Sequence, residues 1–256
     1  MAHWTPAPRF REFRISTGYP ARADRLRRFA ILLAALAAGL LLPGAPATAQ
    51  VAANVTLATN QLFRGETISG DDPGLTVAVS ADLPGGLFAG ADVSLAAGGE
   101  SPRFTASNQY AGIAKRLGGA SLEAGAIHRI YAPLFDEAYR RHYTELYAGI
   151  SLHKVQLRAF VSPDYLADGR TTYYIEANAR LATIGQWKLE GHGGISLIPH
   201  DLDSPEHGLI SYEDWSLRAS RGLGPFTFGV GIAATNYPVF GPSGKVRLSA
   251  QLSRSF

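Results

Sequence analysis

The densest cluster of chemically capable side chains is the run His200-Asp201-Leu202-Asp203-Ser204-Pro205-Glu206-His207, with two imidazoles and three carboxylates in eight residues. Imidazole nitrogens and carboxylate oxygens are ligands for zinc and other divalent cations, so these residue types allow a metal site or a metal-dependent hydrolase. Their spacing matches no defined metal motif, and a charged, solvated loop has the same composition. Nucleophilic catalysis needs a serine or its equivalent brought to a histidine and an acid. Of the seven histidines, the six beyond the first 50 residues are His128, His142, His153, His192, His200 and His207. Outside the 200–207 run none stands in a recognisable serine or aspartate neighbourhood, and G-x-S-x-G is missing. Without cysteine there is no thiol nucleophile, thiolate metal site, disulfide framework or lipid-bearing cysteine. The expectation is no enzyme, no cofactor and no metal, with the 200–207 loop kept as the one candidate.

A second set of charges is spread singly along the chain: Asp82, Asp92, Glu123, Arg129, Glu145, Arg158, Glu176, Arg180, Lys188, Glu190, Asp214, Arg218 and Arg247. What such isolated charges do depends on the elements that carry them.

The longest continuous apolar run is FAILLAALAAGLLL, residues 29 to 42, preceded by Arg22, Arg25, Arg27 and Arg28 and followed by Ala47-Thr48-Ala49. Its 14 residues fall short of the roughly 20 that an α-helix needs to cross hydrocarbon. A basic flank, a short apolar centre and an A-x-A site describe a cleavable secretory signal, cut after Ala49. Residues 1–49 are therefore expected to be an N-terminal extension with signal peptide, and residues 50–256 a single domain. Seven arginines and two acids fall before residue 50, leaving 17 basic and 19 acidic side chains. The basic character of the whole chain belongs to its leader, and no basic face remains for nucleic acid.

Beyond residue 53 no helical period persists, whereas apolar and polar residues alternate in segments bounded by Gly, Pro, Asp and Asn. Twelve strands are expected: 53–63, 74–83, 87–95, 104–117, 120–131, 142–152, 155–164, 172–184, 187–198, 212–221, 226–235 and 245–256. Their connections alternate between tight turns, such as Gly118-Gly119 and His153-Lys154, and longer polar loops. With both ends on one side, all tight turns share that side. Short periplasmic turns opposite longer extracellular loops define an all-β, antiparallel, up-and-down transmembrane barrel of about 12 strands.

Alternation then sorts the side chains. Leu146, Ala148, Ile150 and Leu152 share one face, and Tyr143, Glu145, Tyr147 and Ser151 the other. In the last strand Val246, Leu248, Ala250, Leu252 and Phe256 oppose Arg247, Ser249, Gln251 and Ser253. A membrane barrel turns the apolar face to lipid, which makes the thirteen scattered charges candidate pore-lining residues. Aromatics near strand ends (Phe63, Tyr131, Tyr143, Tyr173, Trp187, Tyr212, Trp215, Phe226, Tyr237) fit interfacial girdles.

The segment ANVTLATNQLFRGETISGDDPGLTVAVSADLPGGLFAGADVSL resembles the opening of the TorF family of proteobacterial outer-membrane porins, where an extended strand ends in an aromatic-Arg-Gly turn, here Phe63-Arg64-Gly65. HYTELYAGISL and YEDWSLRASRGLGPFTFGVGIAATN are similar to its central and C-terminal strands. The resemblance spans residues 53 to 256 and implies a porin-like barrel; it carries no catalytic residue or substrate.

The expected function is a passive outer-membrane channel for small polar or charged solutes, selective through its lumen charges. The alternative is a plugged structural or adhesive barrel acting through its extracellular loops; an outer-membrane hydrolase is a third. One long loop folding inward would narrow the bore. Expected partners are outer-membrane lipid and lipopolysaccharide, small solutes, and the barrel-assembly machinery through the final strand ending in Phe256.

Overall fold

The computed structural model describes residues 50–97, 101–132, 141–165, 169–199, 209–236 and 244–256. The leader, Tyr237 and the 200–207 cluster lie outside the described residues. Twelve antiparallel strands close into a barrel. They are β1 (Gln50–Ala58), β4 (Gly74–Asp82), β5 (Leu87–Ala96), β6 (Arg103–Leu117), β7 (Ala120–Tyr131), β8 (Arg141–Leu152), β9 (Val155–Ser162), β10 (Thr172–Ile184), β11 (Trp187–Pro199), β12 (Leu209–Leu223), β13 (Phe226–Thr235) and β14 (Arg247–Ser255). Two further short strands, β2 (Leu62–Phe63) and β3 (Glu66–Thr67), pair only with each other. No helix among the described residues is long and apolar enough to cross a membrane.

Each barrel strand pairs with its chain neighbour, and β1 pairs with both β4 and β14. The seam sets Leu57 opposite Leu252 and Ala58 opposite Gln251. It is extended by the Ala53 and Phe256 amides, each donating to the other's carbonyl at 3.3 and 2.9 Å. Closure matters because each backbone group unpaired in hydrocarbon costs several kcal/mol.

Side-chain parity follows the pleat. Leu248 is 73% exposed on the outside while its neighbour Arg247, at 4%, faces inward. Val51, Leu57, Leu181, Ile184 and Leu217 stand on the same outer surface. Such apolar exposure would be a liability in water and is what lipid requires. The aromatic girdle is only partly as expected. Tyr173, Trp215 and Phe226 are exposed on the outer face, but Tyr131 and Tyr143 point inward and join Ile68, Ala106 and Tyr165 in a buried cluster that Phe63 packs against. Their inward parity on β7 and β8, not their nearness to a strand end, decides their place.

Five tight connections, at 83–86, 118–119, 153–154, 185–186 and 224–225, lie at one rim. Gly118, Gly185 and Gly224 open three of them at φ near +60°, and His153 takes the equivalent place at φ 52°. That left-handed conformation is easy for glycine and strained for a side chain, although histidine tolerates it better than most.

The main departure from the sequence expectation is at the first long connection. The segment expected as one strand, 53–63, ends as barrel strand at Ala58. Thr59 and Pro73 still hold backbone bonds to Ala250 and Ala97; between them the chain leaves the wall, and β2 and β3 form a miniature hairpin inside the barrel. Smaller shifts lengthen β12 to Leu209–Leu223 and trim β14 to Arg247–Ser255.

Candidate functional site

The hairpin is built from small polar residues that satisfy one another. The Asn60 side chain donates to Asp71 at 2.7 Å and accepts from Thr67 at 2.7 Å and Ser69 at 3.2 Å. The Ile68 amide donates to the Gln61 carbonyl at 2.9 Å. Gln61 then ties the hairpin to the wall, donating to Thr76 at 3.2 Å and accepting from Thr105 at 3.0 Å. A buried polar segment is stable only when its groups are paired in this way.

At the tip, Arg64 crosses the lumen. It donates to Glu145 of β8 at 2.7 Å, and Arg129 of β7 donates to the other oxygen of the same carboxylate at 2.9 Å. The Arg64 guanidinium also lies 3.6 Å from the ring centroid of Tyr174 on β10 and 5.0 Å from that of Phe63, close enough for cation–π attraction. Beside it, Gly65 has φ +78°, and a Cβ there would collide with the Ala234 carbonyl of β13. The hairpin thus reaches from β1 and β4 to β8, β10 and β13.

A latch holds its far end. Arg247 of β14 donates to both Asp71 oxygens at 3.0 and 3.1 Å, and Lys245 reaches one of them at 3.4 Å. Burial works against the Asp71 charge, but the Arg247 and Lys245 cations outweigh it and hold the carboxyl below its ordinary range. Arg103 adds bonds to the Ser69 carbonyl and, at 3.3 Å, to Asp72.

The thirteen charges expected along the pore fall on the inward parity. Glu145 and Arg129 meet at the hairpin tip. Arg158 binds Glu123 at 2.8 Å and approaches Glu176 at 3.7 Å. Asp92 accepts from Asn108 at 2.9 Å. Asp214 accepts from Tyr174 at 3.0 Å and lies 2.8 Å from the His192 Nε2. Arg247 belongs to the latch. Glu190 stands between Arg180 on β10 and Arg218 on β12 in register. Asp82 and Lys188 sit near the tight-turn rim, Asp82 opposite Phe88 and Lys188 opposite Ser220.

Arg64, Asp71, Tyr174 and His192 were missed as site residues. Tyr174 and His192 share the strand parity of Glu176 and Glu190, a signal that was readable; Arg64 and Asp71 lie in a connection, where parity says nothing. His192 also bears on hydrolytic chemistry. Its Nδ1 is 2.8 Å from the Asn178 amide oxygen and its Nε2 2.8 Å from Asp214. Ser216, its partner in register, therefore finds neither ring nitrogen free to act as base. No group of three or more His, Cys, Asp or Glu that could hold a metal occurs among the described residues.

Space remains beside the hairpin. A cavity of about 510 Å³ is bounded by the hairpin residues Asn60 to Gly65 and by Tyr174, Glu176, Arg218 and Gln251 across the lumen. A second, of about 500 Å³, lies toward the tight-turn rim among Lys154, Arg180, Glu190 and Arg218. Asn178, His192, Ser216 and Arg218 line both.

A closed twelve-stranded antiparallel barrel, apolar outside and polar within, is the architecture of a transmembrane β-barrel of the kind found in outer membranes. The chain belongs to a bacterial family of unknown function, Gcw_chp, which matches it over residues 43–245. Among solved structures it is similar to the NanC porin, with 8% identity, 80% of this chain and 98% of that one covered, and a TM-score of 0.52. It is also similar to the KdgM porin, with 9% identity, coverage of 80% and 99%, and a TM-score of 0.49. A third likeness is to outer membrane phospholipase A from Escherichia coli, with 11% identity, coverage of 84% and 94%, and a TM-score of 0.42. Such identities show the fold alone, and of the three only the NanC likeness is strong enough to argue even that. No curated protein matches the chain.

Proposed function

We propose that this barrel sits in the outer membrane and works as a passive diffusion channel for small polar or charged solutes, narrowed by the β2–β3 hairpin. The observation that supports it is the unfilled lumen beyond the hairpin. Two cavities of about 510 and 500 Å³ border each other from the hairpin to the tight-turn rim, each in the size range of small-molecule sites. Their walls of hydroxyl, amide and charged groups suit hydrated solutes. The same class of function is what the resemblance to the TorF porins implies. In this arrangement the tight turns face the periplasm and the long loops the exterior, lipid and lipopolysaccharide cover the apolar band, and the outward Phe256 on the final strand serves barrel assembly.

A second reading, a plugged barrel acting through its long loops, draws on the many anchors that hold the hairpin across the lumen. Single-channel recording of the protein, purified from an expressing Gram-negative host and inserted in a planar bilayer, separates the two. Discrete conductance steps are expected. A folded, heat-modifiable barrel that yields none overturns the channel and leaves the plugged form.

A further inference from the structure

Resting on the channel reading above, we infer that the channel prefers anions, and that Arg218 at the junction of the two cavities is the residue that selects them. Of the four side chains that line both cavities, Asn178, His192 and Ser216 carry no permanent charge, and Arg218 does. A solute passing from one cavity to the other meets that guanidinium.

The surroundings leave the charge available. The other inward cations nearest the hairpin are committed: Arg64 and Arg129 share Glu145, and Arg158 serves Glu123 and Glu176. Arg218 instead has a neutral neighbour, with both terminal nitrogens 3.1 Å from the Gln251 amide oxygen turned toward them. Its register partner on β13 is Gly231, and Gly229 two residues along also lies against it, so β13 places no charged side chain beside it and its neighbour on that side is the neutral Gln251.

Glu190, its partner on β11, is shared in register with Arg180, so one carboxylate faces two guanidiniums. Lys154 at the mouth of the second cavity adds a further cation. This wall therefore carries a surplus of positive charge in a narrow, low-dielectric passage, where a fixed charge concentrates counter-ions far more than on an open surface. A guanidinium presents a planar fork of donors, which suits an oxyanion such as a carboxylate or phosphate.

The test is the reversal potential in a potassium chloride gradient, with wild type, R218Q, R218E and the control R221Q, whose residue shares the outward parity of Leu217 on β12 and lies over the Trp187 ring. Wild type is expected to show the sign of chloride selectivity. R218Q should lower the chloride-to-potassium permeability ratio several-fold, R218E should carry the potential to the cation side, and R221Q should match wild type. Succinate and inorganic phosphate added as probes should each reduce wild-type chloride current more than that of R218Q. Cation selectivity in wild type, or a reversal potential indifferent to Arg218, overturns the inference while leaving a channel. A folded barrel with no conductance overturns the channel reading and this inference with it.

Discussion

Arg64 and Glu145, 81 residues apart in sequence, meet at 2.7 Å inside the barrel. The carboxylate is 2% exposed at its side chain and is held on its other oxygen by Arg129. The inward hairpin is thus fixed at its tip by a shared, desolvated ion pair rather than by surface attraction.

Removing the acid leaves two buried guanidiniums uncompensated, so Glu145→Ala should cost about 3–5 kcal/mol of folding stability. Arg64→Ala leaves Glu145 with Arg129 and should cost less, while releasing the hairpin tip. Denaturant titration of the purified barrel checks the order of the two. Single-channel conductance should be higher in Arg64→Ala than in wild type, and equal conductance would mean that the hairpin does not set the bore.

Gly65 combines φ +78° with direct approach to the Ala234 backbone. Gly65→Ala must either strain the turn or push the hairpin from β13, at about 1–3 kcal/mol for a non-glycine residue held in such a conformation. A lower unfolding midpoint together with faster protease cleavage within residues 59–73 is expected. Unchanged cleavage would show that the contact with β13 does not hold the loop.

The Asp71 latch predicts a pH response of definite sign. Because the folded carboxyl is held below its ordinary value, the latch contributes fully above the unfolded value of about 3.9 and is lost as pH falls through the folded one. Protease protection of residues 59–73 should be flat from neutral pH to about 5 and decline in stronger acid, over the range set by those two values. Asp71→Asn should be less protected at neutral pH and show a smaller decline. An identical acid profile in the variant would assign the response to other groups.

Strand parity can be tested with one pair of substitutions on β12. Leu217 faces outward and its neighbour Ser216 lines both cavities. Leu217→Arg should destabilise the barrel in a bilayer by about 2–4 kcal/mol if it sits near mid-depth. Ser216→Arg should fold with a smaller loss and reduce conductance instead. The reverse ranking would mean the register of β12 is slipped by one residue.

The barrel was legible in the sequence because its information is local. Alternation on a period of two and turn residues such as Gly118 and Gly185 mark each strand where it stands. Glu145, Arg129 and Arg158 could be assigned an inward face from their immediate neighbours alone. The hairpin was not legible: the alternation of β1 lapses at Thr59-Asn60-Gln61, which marks a strand end but says nothing of where Leu62 and Phe63 go. The Phe63-Arg64-Gly65 turn was visible as a turn, but nothing near it states a direction. That is decided by Glu145, Tyr174, Ala234 and Arg247, none of which adjoins it in sequence. His192 and Tyr174 had the right parity, and their value as site residues emerged only when Asp214, from a third strand, bonded both.

The hairpin's anchors also order events in time. Residues 60–71 are tied to β8, β10, β13 and β14, so most of its holding contacts exist only after nearly the whole wall has formed. Contacts separated by so much chain are the slowest to become favourable, because loop closure must precede them. With those anchors unmade, the segment would leave the closed cylinder with a wider bore than the docked one.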